Sequence, residues 1–228
     1  MASLLYMVAN SASPNANEAR VQTALEVRHT VTLISDDATS GASDLSAYDA
    51  GVISDNASGT YASNWDLATA GVLVGKSSEA NDYGLSGATV GALTSDTQVE
   101  AEGTGAVVTD LSWTDGTDYT IFDGARTPAT LLVSELPAGA EVVALDNDTA
   151  LEAYAVTYAS GGAKVGGGTL DGRRAWIGGN TDKRGSTSGD DTLWGSLAAF
   201  VAGEIPAAAA AGGFPLVGGV GLVGVPNG

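Results

Sequence analysis

RHTVTLISDDATSGASDLSAYDAGVISD, residues 28–55, holds two apolar runs of strand length, TVTLI (30–34) and AGVI (50–53), and each stops at a Ser-Asp turn. Short runs of this kind, bounded by turn residues, read as strands. Upstream, SLLYMVA (3–9) is a third run of this kind and opens into the polar loop Asn10–Asn17. Glu18 to Val27 then sets Ala19, Val21, Ala24, Leu25 and Val27 on one helix face. Downstream, Leu45 and Tyr48 sit in a short connector, and a weak helix around Tyr61 to Ala70 leads into GVLV (71–74). Strands alternating with helices predict a parallel sheet with right-handed crossovers.

The character changes after residue 97. Segments at 105–109, 119–122, 130–134, 140–145, 151–158, 163–169 and 173–178 read as short strands split by glycine, proline and Asp/Asn turns. Asp146-Asn147-Asp148 is a turn that lacks the glycine and glutamate of a calcium loop. Gly161-Gly162 and Asp171-Gly172 predict two hairpins. A last helix begins near Gly189 or Asp190, with Leu193, Trp194, Leu197, Phe200 and Val201 as its apolar stripe. Gly203 ends it and Pro206 prevents its resumption. The expected organisation is one domain over residues 1–204, β-rich over about 97–178, followed by an extended apolar C-terminal arm at 205–228.

That arm, IPAAAAAGGFPLVGGVGLVGVPNG, carries no charged side chain, whereas the whole chain has 27 acidic residues against 9 basic ones and a formal net charge of −18. Its seven glycines and three prolines give it neither a helical nor a strand period. The expectation is that Phe214, Leu216, Val217, Val220, Leu222, Val223 and Val225 form an interface with a neighbouring molecule of the assembly. The same glycines and prolines disfavour a membrane span. The acidic surface repels phosphates, which argues against a nucleic-acid partner. Acidic excess, only three lysines and few aromatic residues resemble the proteins of extreme halophiles, whose self-repulsion is screened at molar salt. There is no cysteine, so disulfides, thiolate catalysis and sulfur-ligated metals are excluded. The opening MASLLYMVANSASP has no basic n-region, and the expectation is synthesis in the cytoplasm without a signal peptide.

The succession SLLYMVA, a helix, RHTVTLISDD, AYDAGVISD and AGVLVG resembles the N-terminal half of class I glutamine amidotransferase-like domains, including the trehalose-utilisation-like group. The stretch GGTLDGRRAWIGGNTDKRGSTSGDDTLWGSLAAFVAG resembles their close. The resemblance spans most of residues 3–203 and implies a flavodoxin-like sheet with helices on both faces. It also implies a cysteine nucleophile just after the strand at 71–74 and a histidine late in the chain. Here that turn reads Gly75-Lys76-Ser77-Ser78, and the sole histidine, His29, precedes the second strand. The catalytic pair of the family is therefore missing. A serine elbow at Ser77 would need a base.

In an open α/β sheet, ligands bind outside the carboxyl ends of the strands. Those ends carry Asn10, Asp36, Asp55 and Ser77, the candidate ligand rim, beside Ser11, Asp37, Asn56 and Lys76. No catalytic residue, metal or cofactor is expected. The loop with Lys183 and Arg184 reads as an exposed, self-paired segment, and Trp65 and Trp113, set among polar residues, read as interface candidates. The resulting expectation is a non-enzymatic structural protein of a large assembly. Most specifically, it would be a virion component (a head, turret, decoration or tail subunit) of a halophilic archaeal virus, joined to neighbouring virion or assembly subunits through its arm. The alternative is a catalytically degenerate amidotransferase-like ligand-binding protein or a hydrolase of a halophile.

Overall fold

The computed structural model describes residues 1–87, 90–92, 97–125, 127–178 and 188–207. The expected interface residues Phe214 to Val225 and the Lys183–Arg184 loop lie outside the described residues.

The three apolar runs become β1 (Ser3–Val8), β2 (Thr30–Ser35) and β3 (Ala50–Ile53), and GVLV becomes β4 (Gly71–Val74). Between the first two lies α1 (Ala16–Glu26), which begins two residues earlier than its apolar face suggests. Asn15 supplies the reason. Its side chain accepts from the amides of Asn17 and Glu18, and Glu18 reaches back to the Asn15 amide, a capping box. The weak helix after β3 is reduced to α2 (Gly59–Ala62) and a 3-10 turn at Ser63–Trp65.

Beyond β4 come β5 (Val90–Ala92), β6 (Gln98–Ala101), α3 (Ala106–Asp110), β7 (Asp118–Thr120), β8 (Ala129–Leu132), β9 (Ala140–Asp146), β10 (Thr149–Tyr158) and β11 (Arg174–Ile177). The helix α4 (Ser188–Val201) follows. The expected strand at 105–109 is wrong: AVVTD forms the short helix α3, behind an extended Gly105. The expected strand at 163–169 is also wrong. That stretch is an irregular loop held by one Ala163–Thr169 bridge, with Gly166, Gly167 and Gly168 all at positive φ. The Asp146–Asp148 turn joins β9 to β10 directly, and the Asp148 amide donates to Asp146 Oδ1 at 3.0 Å.

The described strands form one sheet in the order β2-β1-β3-β4-β11-β10-β9-β6-β7, with β8 pairing both β10 and β5. The first five are parallel, with β11 pairing β4 and β3 pairing β4 in register. This is the 2-1-3-4-5 order of the flavodoxin-like fold. β10 runs antiparallel to β11 and starts the extension.

Alternate residues of the central strands feed two cores. Leu4, Tyr6 and Val8 face α1, α3 and α4, together with Leu193, Leu197 and Phe200. Leu5, Met7, Val72, Val74 and Trp176 face a thinner layer of short helical turns carrying Leu45, Trp65, Tyr83 and Leu85. Trp65 is thus a correction: it is fully buried, and its indole Nε1 donates to Asp44 Oδ2 at 3.1 Å. Trp113 is half-buried and stacks on Tyr119 with ring centroids 4.6 Å apart.

α4 lies so close to the sheet that a Cβ on Gly71 would stand 2.0 Å from the Val201 carbonyl oxygen. Gly203, at φ +83°, closes the helix. The chain then packs once more. Ile205 is buried, its amide bonds the Ala199 carbonyl at 3.2 Å, and its own carbonyl accepts from Arg173. Packing against the core thus continues through Ile205 and Ala207, where the described residues end.

Candidate functional site

The parallel strands bring Asn10, Asp36, Asp55 and Ser77 to one end of the sheet, just past β1, β2, β3 and β4. Strand order reverses between β1 and β3, so the ligand crevice of this fold type opens there. In this chain the crevice holds the side chain of Glu18, which is 1% exposed. Oε1 accepts from the Ala9 amide after β1 and from Ser54 Oγ after β3, both at 3.0 Å. Oε2 accepts from the Asn15 amide at 3.0 Å. Three donors from three elements converge on one internal carboxylate at the N-terminus of α1, the position where a doubly wound fold receives an anionic ligand group.

The rest of the rim is tied down in the same way. Asp36, of the candidate ligand rim, is buried: Oδ2 accepts from the Ser58 amide at 2.6 Å and Oδ1 from the Asp37 amide at 2.7 Å. It links the end of β2 to the start of α2. Lys76 donates from Nζ to the Asp55 carbonyl at 2.9 Å, joining the ends of β3 and β4. Ser11 and Ser35 share a hydroxyl contact at 2.8 Å, closing the gap between β1 and β2. Asn10 is exposed, and its Oδ1 accepts from the Ala12 amide at 3.0 Å. Ser77 is half-buried in a 3-10 turn at Ser77–Glu79.

Glu79, in that turn, differs from the others. It is 2% exposed, and its Oε2 has no hydrogen-bond partner. Burial pushes its carboxyl above the ordinary glutamate range, assisted by Asp82 and opposed by Lys76 and Ser78. Gly59 covers it, so a Cβ there would approach Glu79 Oε1 to 3.0 Å. Among the described residues, no cluster of three metal-ligating side chains occurs, and no helix is long and apolar enough to cross a membrane.

His29 stands at the opposite end of the sheet, immediately before β2. It is buried, its Nε2 lies 3.3 Å from the Gly195 carbonyl of α4, and Nδ1 is 3.5 Å from Glu204. It fastens α4 and the chain beyond it to the amino end of the sheet, far from Ser77.

The site residues that the composition and strand ends did not single out are Glu18 and Glu79. The signal for Glu18 was present: Asn15 followed three residues later by glutamate is the pattern of a capping box. Glu79 has no comparable signature, because its burial follows from Gly59 crossing above it.

No protein-family model and no curated protein matches this chain. Among solved structures, it is similar to a Thermoplasma acidophilum protein described as part of a GMP synthase, with a TM-score of 0.53 and 15% identity over 88% of this chain and 96% of that one. It is also similar to the mmIFT52 N-terminal domain, with a TM-score of 0.49 and 9% identity over 87% and 96% of the two chains. At such identities the first likeness shows the fold alone: this chain has a flavodoxin-like α/β architecture.

Proposed function

We propose that this chain is a non-catalytic structural protein of a large assembly, and specifically a virion component of a halophilic archaeal virus, joined to its neighbours through residues 205–228. The observation that carries the reading is the crevice itself. The donors that would receive a ligand are engaged by Glu18, and the flanking rim residues Asp36 and Lys76 are used to tie strand ends together. A fold whose ligand crevice is filled from within serves as a scaffold. The charge-free segment then follows Ile205, a residue fixed by Ala199 and Arg173. An extended arm on a neighbour adds apolar burial and main-chain hydrogen bonds without a core of its own. The test is incorporation. A tagged full-length chain is expected to sediment with high-salt particles, and a chain ending at Ala207 is expected to remain in the supernatant. Equal incorporation of both would refute the reading.

Glu79 favours a second reading, that of a degenerate amidotransferase-like ligand-binding protein or a hydrolase. A buried carboxyl with an unused oxygen, in the same turn as Ser77 and near Lys76, is what a small polar ligand would engage. That reading requires saturable binding or turnover that is lost in Glu79→Gln.

A further inference from the structure

The two ends of the main strand order, β7 and β2, are unlike. β7, at one edge, is three residues long and includes Asp118. Short, charged edge strands are how sheets avoid pairing with other chains. β2, at the other edge, is six residues long, pairs with β1 without a bulge, and reads TVTLIS with no charge and no proline. Among the described residues it carries no charge, proline or bulge that would protect it.

The direction of its free groups follows from the Thr30 amide, which donates inward to the Ala2 carbonyl at 2.9 Å. Peptide groups alternate along a strand, so Thr32 and Ile34 also face β1. Val31, Leu33 and Ser35 then turn their N–H and C=O groups outward. Val31 and Leu33 are only half-buried, although both pack against the core beneath α1. The strand is also flanked by opposite charges: Arg28 precedes it, and Asp36 and Asp37 follow it. Arg28 already meets Asp110, yet a third of its side chain remains exposed, and Asp37 is exposed.

We infer that β2 is a self-association edge, pairing antiparallel with β2 of a second copy about a two-fold axis at Leu33. In this register Val31, Leu33 and Ser35 oppose Ser35, Leu33 and Val31 of the second copy. This supplies about six main-chain hydrogen bonds and a continuous sheet through both molecules. The same register brings Arg28 of each copy to the end of the strand that carries Asp37 of the other. Leu33 meets its own symmetry mate, and the half-buried apolar surface on that face is covered. The partner is thus another molecule of this chain, and the pairing uses no residue beyond 207.

The absence of cysteine makes the register readable by cross-linking in the full-length chain. Opposed residues of a hydrogen-bonded antiparallel pair have Cα atoms about 5.5 Å apart, within disulfide reach. Leu33→Cys is expected to form a covalent dimer under mild oxidation in molar KCl, at least tenfold faster than Leu151→Cys, whose position on β10 is 71% exposed. A mixture of Val31→Cys and Ser35→Cys chains is expected to give the same dimer, and circular dichroism establishes that each variant is folded. If folded chains cross-link at β2 no faster than at Leu151, the inference is overturned. The rate should be unchanged in a Leu33→Cys chain that also carries Phe214→Asp and Leu216→Asp. Loss of cross-linking there would assign association to the C-terminal segment, overturning this inference while leaving the proposed function standing.

Discussion

Glu18 shows how one side chain closes a site. Its carboxylate satisfies Ala9, Asn15 and Ser54 at once, so truncation takes the acceptor from three donors, of which the Ser54 hydroxyl is buried. Hydrogen bonds to charged groups contribute about 1.5–3 kcal/mol each and are not additive. Glu18→Ala is therefore expected to cost about 3–4 kcal/mol in denaturant unfolding at fixed salt, and Glu18→Gln about 1–2 kcal/mol, because one amide oxygen still accepts. His29 gives a pH dependence with a definite sign. Burial, the largest cause, holds its folded pKa below the ordinary value of 6.5, despite help for the charged form from Gly195 and Glu204. The unfolded state then binds the proton more readily, so stability is fully present above pH 6.5 and falls as pH drops toward the folded pKa. Thermal melts between pH 7.5 and 5 should show this decline, and His29→Gln should flatten it. The decline is separable from the acid limb, where Asp44 and Asp110, both held below the usual aspartate range, begin to protonate. At this scale the sequence was partly legible. His29 was readable as a residue of the strand's amino end, and Asn15 with Glu18 was a readable capping pair. Asp36 was not, because its partner is the amide of Ser58, 22 residues away.

The elements were legible where the period was long enough to decide. The runs of β1, β3 and β4 are almost uniformly apolar over four to six residues, and the stripe of α4 repeats over about two and a half turns from Leu193 to Val201. By contrast AVVTD offers five residues, too few to separate a helical period from an alternating one, and the extended Gly105 before it decides for α3. Trp65 misled because its sequence neighbours are polar. Its true neighbour is Gly51, where a Cβ would stand 2.8 Å from the indole ring. The insertion of β11 between β4 and β10 is a long-range pairing that no local pattern announces. Close approach of elements carries its own test. Gly71→Ala places a methyl group against the rigid Val201 carbonyl of α4, and the expected cost is about 3 kcal/mol, measured by chemical denaturation. Gly124→Ala, which meets nothing within 4 Å, should change stability by less than about 0.5 kcal/mol.

For the molecule as a whole, charge and arm act together. A net charge of −18 opposes both folding and association in dilute buffer. At about 1 M salt the screening length falls to about 3 Å, and apolar burial is strengthened by excluded salts. The 24 residues from Ile205 onward carry none of that charge, so they are the part of the chain best able to approach another acidic copy. Composition made this segment conspicuous, and its first residue, Ile205, is buried beside α4. In the proposed role, assembly runs through this segment while the crevice at Glu18 stays closed. Sedimentation velocity of the full-length chain and of a chain ending at Ala207, in 3 M KCl, tests it most directly. Large species are expected for the full-length chain and nothing larger than a folded dimer for the shorter one. Large assemblies formed equally by both would contradict it.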